Sequence, residues 1–171
     1  MKKYVIPGLI AVYLTLSIFF WGWLLLDIAF DNFTIFRYLD LTLPIENEKL
    51  ILLKMAFYSM IGGAFGGISF GMMNLQRHTT ADGFKLVFLG DYLFRPFGAA
   101  ILAVVIFALI RGGILTILGA DTNIQPSTAS TLSSFGIGFL AGFSSAEVIK
   151  TFSRLSKNIF GEKDEKNQKK E

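Results

Sequence analysis

The sequence predicts an all-α integral membrane protein: four transmembrane helices followed by a cytoplasmic amphipathic helix. Three observations carry that expectation. Apolar residues make up 53% of the 171, and the mean hydropathy is +0.55, too greasy for a single soluble domain of this length. Met55 to Gln76 runs 22 residues without a charged side chain, enough to cross a hydrocarbon core about 30 Å thick as a helix. Within that run Gly63, Gly67 and Gly71 recur every fourth residue, with Gly62 and Gly66 beside them. Small residues therefore share one helical face that a neighbouring backbone can approach closely.

The first span is expected at residues 4–26. Tyr4 to Leu26 holds 23 uncharged residues after Lys2 and Lys3, longer than the apolar region of about 7 to 15 residues in a cleavable signal, so it reads as a retained helix. Pro7 costs little near the start, and Phe20, Trp21 and Trp23 cluster where an aromatic belt belongs. Residues 27–49 carry five acids, Asp27, Asp31, Asp40, Glu46 and Glu48, against Arg37 and Lys49, with apolar residues interspersed; they suit a membrane surface. Asn32-Phe33-Thr34 fits a glycosylation sequon, a triplet that arises often by chance.

The second span, 51–76, contains the glycine face. A turn at Thr79 to Gly83 leads to an interfacial helix expected over 84–94. Pro96 then opens the third span, 97–118, in a first turn where its missing donor had no partner anyway. Pro126 starts the fourth span, 126–143, 18 residues long or about 27 Å at the helical rise. Its first half is rich in hydroxyls, and Ser130, Ser134, Gly138 and Gly142 line up every fourth residue as a second small-residue stripe, a natural partner for the first.

Ser144-Ser145-Ala146-Glu147 reads as a capping box opening an amphipathic interfacial helix over 145–160. Val148, Ile149, Phe152 and Leu155 fall on one side of it, Lys150, Arg154 and Lys157 largely on the other. Residues 161–171 form a mixed-charge polar tail expected to be disordered. The expected organisation is thus a transmembrane domain over 1–149, the helix at 145–160 and the tail.

Charge placement gives a topology. With the N-terminus cytoplasmic, four spans return the C-terminus to the same side, and 12 of the 16 basic residues fall there, leaving Arg37, Lys49, Lys54 and Arg111 in or near the opposite side. Arg111 lies within the third span, where a basic group needs a partner or must snorkel; Asp27, at the outer end of the first span, is the candidate for an intramembrane ion pair.

The chemistry-bearing patterns are few. Gly62 to Gly67 lacks the preceding strand and polar mouth of a phosphate-binding loop. His78, the one histidine in a cysteine-free chain, would need carboxylates from elsewhere, such as Asp82, for a metal site and reads as an ordinary interfacial residue, and the serines of the fourth helix lack an evident base. No catalytic residue, metal or cofactor is expected. The leading expectation is a non-enzymatic scaffold, sensor or anchor subunit that assembles through its small-residue faces. It presents Lys150, Arg154 and Lys157 to anionic lipid or to a cytoplasmic protein partner rather than to nucleic acid. The alternative is a homo-oligomeric ion channel or pore, with the hydroxyl-rich half of the fourth helix lining a wet path.

Arg95-Pro96-Phe97-Gly98 opening a span, Arg111-Gly112-Gly113 near its end, and Gly142-Phe143-Ser144 before the amphipathic helix are similar to motifs of uncharacterised small bacterial multi-pass inner-membrane proteins. The resemblance covers roughly residues 55–161. It implies a bacterial inner (plasma) membrane location and supplies no activity or site.

Overall fold

The structure, a computed structural model, describes residues 2–30, 34, 47–81, 89–112 and 128–160, without the side chains at 2–4, 47, 48, 78, 80, 81, 128 and 155–160. The described chain is helical and contains no strand. Its elements are α1 (Lys2–Ala29), α2 (Asn47–Ala81), α3 (Leu89–Arg111), α4 (Thr128–Phe143) and α5 (Ser145–Phe160). Three helices, α1, α2 and α3, are long and apolar enough to cross a membrane, over Val5–Ala29, Lys49–Arg77 and Leu89–Arg111. Helices α4 and α5, bent by 81° about Ser144, supply a fourth candidate if the pair is counted as one span. Alone, α4 has 16 residues, about 24 Å, short of the roughly 20 residues of a straight crossing.

Successive helices alternate in direction. Gly71 faces Leu14 and Gly22 faces Phe65, so α1 and α2 are antiparallel; Gly63 and Gly67 face Ala103, Ala99 and Arg95, which sets α3 antiparallel to α2. Gly62 meets Phe135 and Gly66 meets Phe139 and Phe143, so α4 runs beside α2 in the same direction. Helix α2 is central, and the other three pack on it. The core holds Leu14, Ile61, Ala64 and Ala103, all fully buried, with Ile10, Trp21, Leu24, Ile28 and Ile68 around them. On α1 the buried residues recur at spacings of three, four and seven, one face of a helix, while Leu9, Leu16, Phe19, Trp23 and Leu26 stay exposed on the others. Every side of α1 is apolar, so its outward faces suit lipid.

Four expectations are revised. The segment at 89–94 forms the first turns of α3 rather than a separate interfacial helix, and residues 84–88 lie outside the described ones. Pro96 is therefore an interior, fully buried residue of α3. A proline there removes one hydrogen bond of the helical ladder and crowds the carbonyl four residues back. The Tyr13 hydroxyl of α1 donates to the nearby Leu93 carbonyl at 2.9 Å, so a neighbouring helix supplies a donor beside the disturbed turn. Trp21 is a core residue, 6% exposed and 6.2 Å from the Phe97 ring, while Phe20 and Trp23 are half exposed. The capping box does not form: Glu147 and Val148 donate their main-chain N–H groups to the Ser144 carbonyl, and the Glu147 side chain turns to Lys150 Nζ, 2.9 Å away. The outer end of the expected third span, 113–118, residues 126–127 and the tail at 161–171 lie outside the described residues.

Glycines at contacts and glycines in open space should respond oppositely to one added methyl. Gly138→Ala drives a methyl into the Ser59 carbonyl, whereas Gly136→Ala meets nothing within 4 Å. We expect Gly138→Ala to cost about 1–3 kcal/mol by overpacking and Gly136→Ala to gain about 0.5–1 kcal/mol from reduced backbone freedom. Thermal melts of the purified protein in detergent check this; equal shifts would contradict it.

Candidate functional site

The small residues singled out in the sequence divide between two seams. A methyl on Gly63 would lie 2.5 Å from both Ala103 Cβ and the Ala99 carbonyl oxygen, and one on Gly67 would lie 2.6 Å from Ala99 Cβ. This row faces α3, where Ala99 and Ala103 are the small residues that receive it. The neighbouring row, Gly62 and Gly66, meets the main chain of α4 at Phe135, Phe139 and Phe143, and Gly138 and Gly142 in turn meet the main chain of α2 at Ser59 and Gly63. The glycines of the α4 stripe thus rest on the first row, at Ser59 and Gly63, while the second row, Gly62 and Gly66, fits against the α4 main chain beside the stripe. Gly71 is different again: its neighbours, Leu14 and the Arg95 side chain, sit at 3.7 and 3.8 Å, ordinary contact distances.

The hydroxyls of the α4 stripe are enclosed. Ser130 and Ser134 are 6% and 4% exposed. Ser134 Oγ donates to the Ser130 carbonyl at 2.9 Å, and Ser130 Oγ lies 3.8 Å from Met55 Sδ. These two hydroxyls are closed into the bundle, Ser130 toward Met55 of α2, whereas Ser133 on the same helix is exposed. Across the other seam, Ser59 Oγ donates to the Ala103 carbonyl at 3.1 Å, an interhelix bond of the kind worth about 0.6–1 kcal/mol in lipid.

Asp27 and Arg111 are held by different partners. Asp27 is 7% exposed, and its carboxylate accepts from the Thr34 main-chain N–H at 2.8 Å and from the Thr34 hydroxyl. Arg111 Nη2 lies 3.4 Å from Met55 Sδ on α2. Thr34 stands at the end of α1 and donates to the carboxylate, while Arg111 reaches Met55 on α2.

At the opposite end of the bundle stands a cluster that the residues suggest only as part of an interfacial helix over 84–94 and the start of the next span. Arg95 Nη2 donates to Asp91 Oδ2 at 3.0 Å, one turn back along α3, and its guanidinium carbon sits 4.5 Å from the centroid of the Phe70 ring on α2. Nη1 is buried without a hydrogen-bond acceptor, and the Phe70 π face is the electron-rich group beside the guanidinium. The signal was present: Asp91 and Arg95 have the i,i+4 spacing of a helical ion pair. It becomes readable once α3 is extended back to Leu89. Beyond it α5 begins, with Lys150 and Arg154 exposed and Lys157 outside the described side chains. The Lys150 hydrogen bond, then its charge, holds the Glu147 carboxyl below the usual range.

Among the described residues no three His, Cys, Asp or Glu side chains gather as metal ligands. Compared with known protein families, curated proteins and solved structures, the chain matches none of them.

Thermodynamic cycles separate the two readings of Asp27. The Asp27→Asn and Thr34→Val effects on unfolding should be coupled by more than about 0.5 kcal/mol, whereas those of Asp27→Asn and Arg111→Gln should add within about 0.5 kcal/mol. Coupling in the second cycle and none in the first would restore the ion pair.

Proposed function

We propose that this chain is a non-enzymatic multi-pass membrane protein of the bacterial inner membrane. It acts as a scaffold, sensor or anchor subunit that holds a basic amphipathic helix at the cytoplasmic face. The observation that carries this reading is the 81° turn at Ser144. If α4 stands along the bilayer normal, α5 lies along the surface. There its strongly one-sided sequence is suited to immersing Val148 and Phe152 while Lys150 and Arg154 meet phosphate head groups. The excess of Lys and Arg on one side supports a cytoplasmic position for both termini.

The small-residue faces are used within one chain, so they support a self-contained bundle rather than assembly by those faces. A second copy or a cytoplasmic protein would meet another surface, and α5 is the best placed. The enclosure of Ser130 and Ser134 weighs against the pore.

Hydrogen exchange of α5 in bilayer nanodiscs tests the reading. Slower exchange is expected with anionic lipid than with neutral lipid, and the difference should fade in high salt and vanish in Lys150→Glu/Arg154→Glu. Exchange indifferent to lipid charge would remove the proposed role, and an ion current through proteoliposomes that Ser134→Leu abolishes would establish the pore instead.

A further inference from the structure

Between α3 and the start of α5 lies a cleft of about 330 Å³, lined by Asp91, Phe94, Arg95, Leu102, Ser145 and Ile149 among others. Its walls run into surfaces that face outward, since Phe94 is 69% and Ile149 59% exposed. The cleft therefore opens sideways, toward the surroundings of the bundle, and not into a closed interior. Its lining is ordered along α3. Asp91, nearest the start of the helix, is a half-exposed carboxylate; Arg95 is one turn deeper, about 6 Å at the helical rise. Apolar and small residues continue below, at Ala99 and Leu102. From the bundle's end inward the sequence is negative, positive, apolar.

A phospholipid carrying an ethanolamine head can present the complementary groups: an ammonium a few ångströms from a phosphate, with acyl chains below. We infer that this cleft seats one zwitterionic, primary-ammonium phospholipid. The ammonium pairs with Asp91, the phosphate with Arg95 and the Ser145 hydroxyl, and an acyl chain lies along Phe94, Leu102 and Ile149. The Arg95 guanidinium is pre-positioned by the Phe70 ring and by Asp91, which spares the ligand much of the cost of ordering a long side chain. The Asp91–Arg95 pair is exposed on the Asp91 side, 60% against 16%, so little is lost when a head group shares its charges. A choline head group has the same net charge but no N–H to donate, and an anionic lipid leaves Asp91 facing a negative neighbour.

The inference rests on membrane residence with the α5 end at the bilayer surface, as proposed above. The test is native mass spectrometry of the full-length chain released from micelles containing ethanolamine, choline or glycerol phospholipids of identical acyl chains. One ethanolamine phospholipid should be retained, with affinity roughly fivefold or more above its choline counterpart, a charge-assisted hydrogen bond partly screened at the surface. Asp91→Asn should erase that preference while leaving the melting temperature near wild type. Gly98→Leu fills the cleft at a position with nothing within 4 Å and should abolish retention of all three lipids in a folded protein. Equal retention of ethanolamine and choline lipids by the wild type, a preference that survives Asp91→Asn, or selective retention of the anionic glycerol lipid would each overturn the inference. A chain that leaves the membrane fraction on alkaline washing would instead overturn membrane residence, and with it both readings.

Discussion

Helix α2 can be touched by two other backbones at once because it carries glycine in two adjacent rows. Gly63 and Gly67 admit α3, and Gly62 and Gly66 admit α4. Any Cβ at these four positions would meet main-chain or Cβ atoms of the neighbouring helix at no more than 2.6 Å. In the membrane proposed for this chain there is no hydrophobic gain in bringing apolar helices together, so there the van der Waals contact of closely approached backbones would hold the bundle. The reciprocal glycines, Gly138 and Gly142, make the α2–α4 seam small on both sides, and Ala99 and Ala103 do the same for α3.

The rest of the architecture is arranged around that three-helix unit. Helix α1 lacks a glycine row at its contacts; it joins through Leu14, Trp21 and Leu24 and through the Tyr13 bond to the Leu93 carbonyl. That bond falls in the turn disturbed by Pro96. The proline itself packs against Gly67, where a methyl would sit 3.5 Å from its Cα. Glycine and proline on facing helices thus belong to one contact. The register of α3 set there also places Arg95 over Phe70, and so forms the polar end of the bundle at which α5 begins.

Much of this was legible in the residues, though unevenly. Three long apolar helices read well because length and apolarity are one-dimensional properties, although the third begins at Leu89 and α4 alone is too short, and the every-fourth-residue glycines marked α2 as a contact helix. The pairing of faces read in part. Gly138 and Gly142 do rest on Ser59 and Gly63, but Gly63 also faces Ala99 and Ala103 of α3, and four-residue spacing alone says nothing about that second neighbour. Nor could hydropathy tell the inner face of α1 from its outer one, since both are apolar; Trp21 and Trp23 look alike in sequence, and one is core while the other is exposed. Asp27 is engaged by Thr34, a neutral donor seven residues on, which charge pairing alone does not point to. Asp91 and Arg95 were missed because Pro96 suggested a helix start, whereas α3 begins seven residues earlier.

That the small faces are spent within one chain can be measured directly, because the protein contains no cysteine. Met55→Cys on α2 and Ser130→Cys on α4, whose native side-chain tips come within 3.8 Å, should form a cross-link with a short bifunctional thiol reagent in native membranes when both are carried by the same chain. None should form when they are divided between two differently tagged chains produced together. Cross-linking between the tagged chains, with none inside one, would contradict the account and move these seams to an interface between copies.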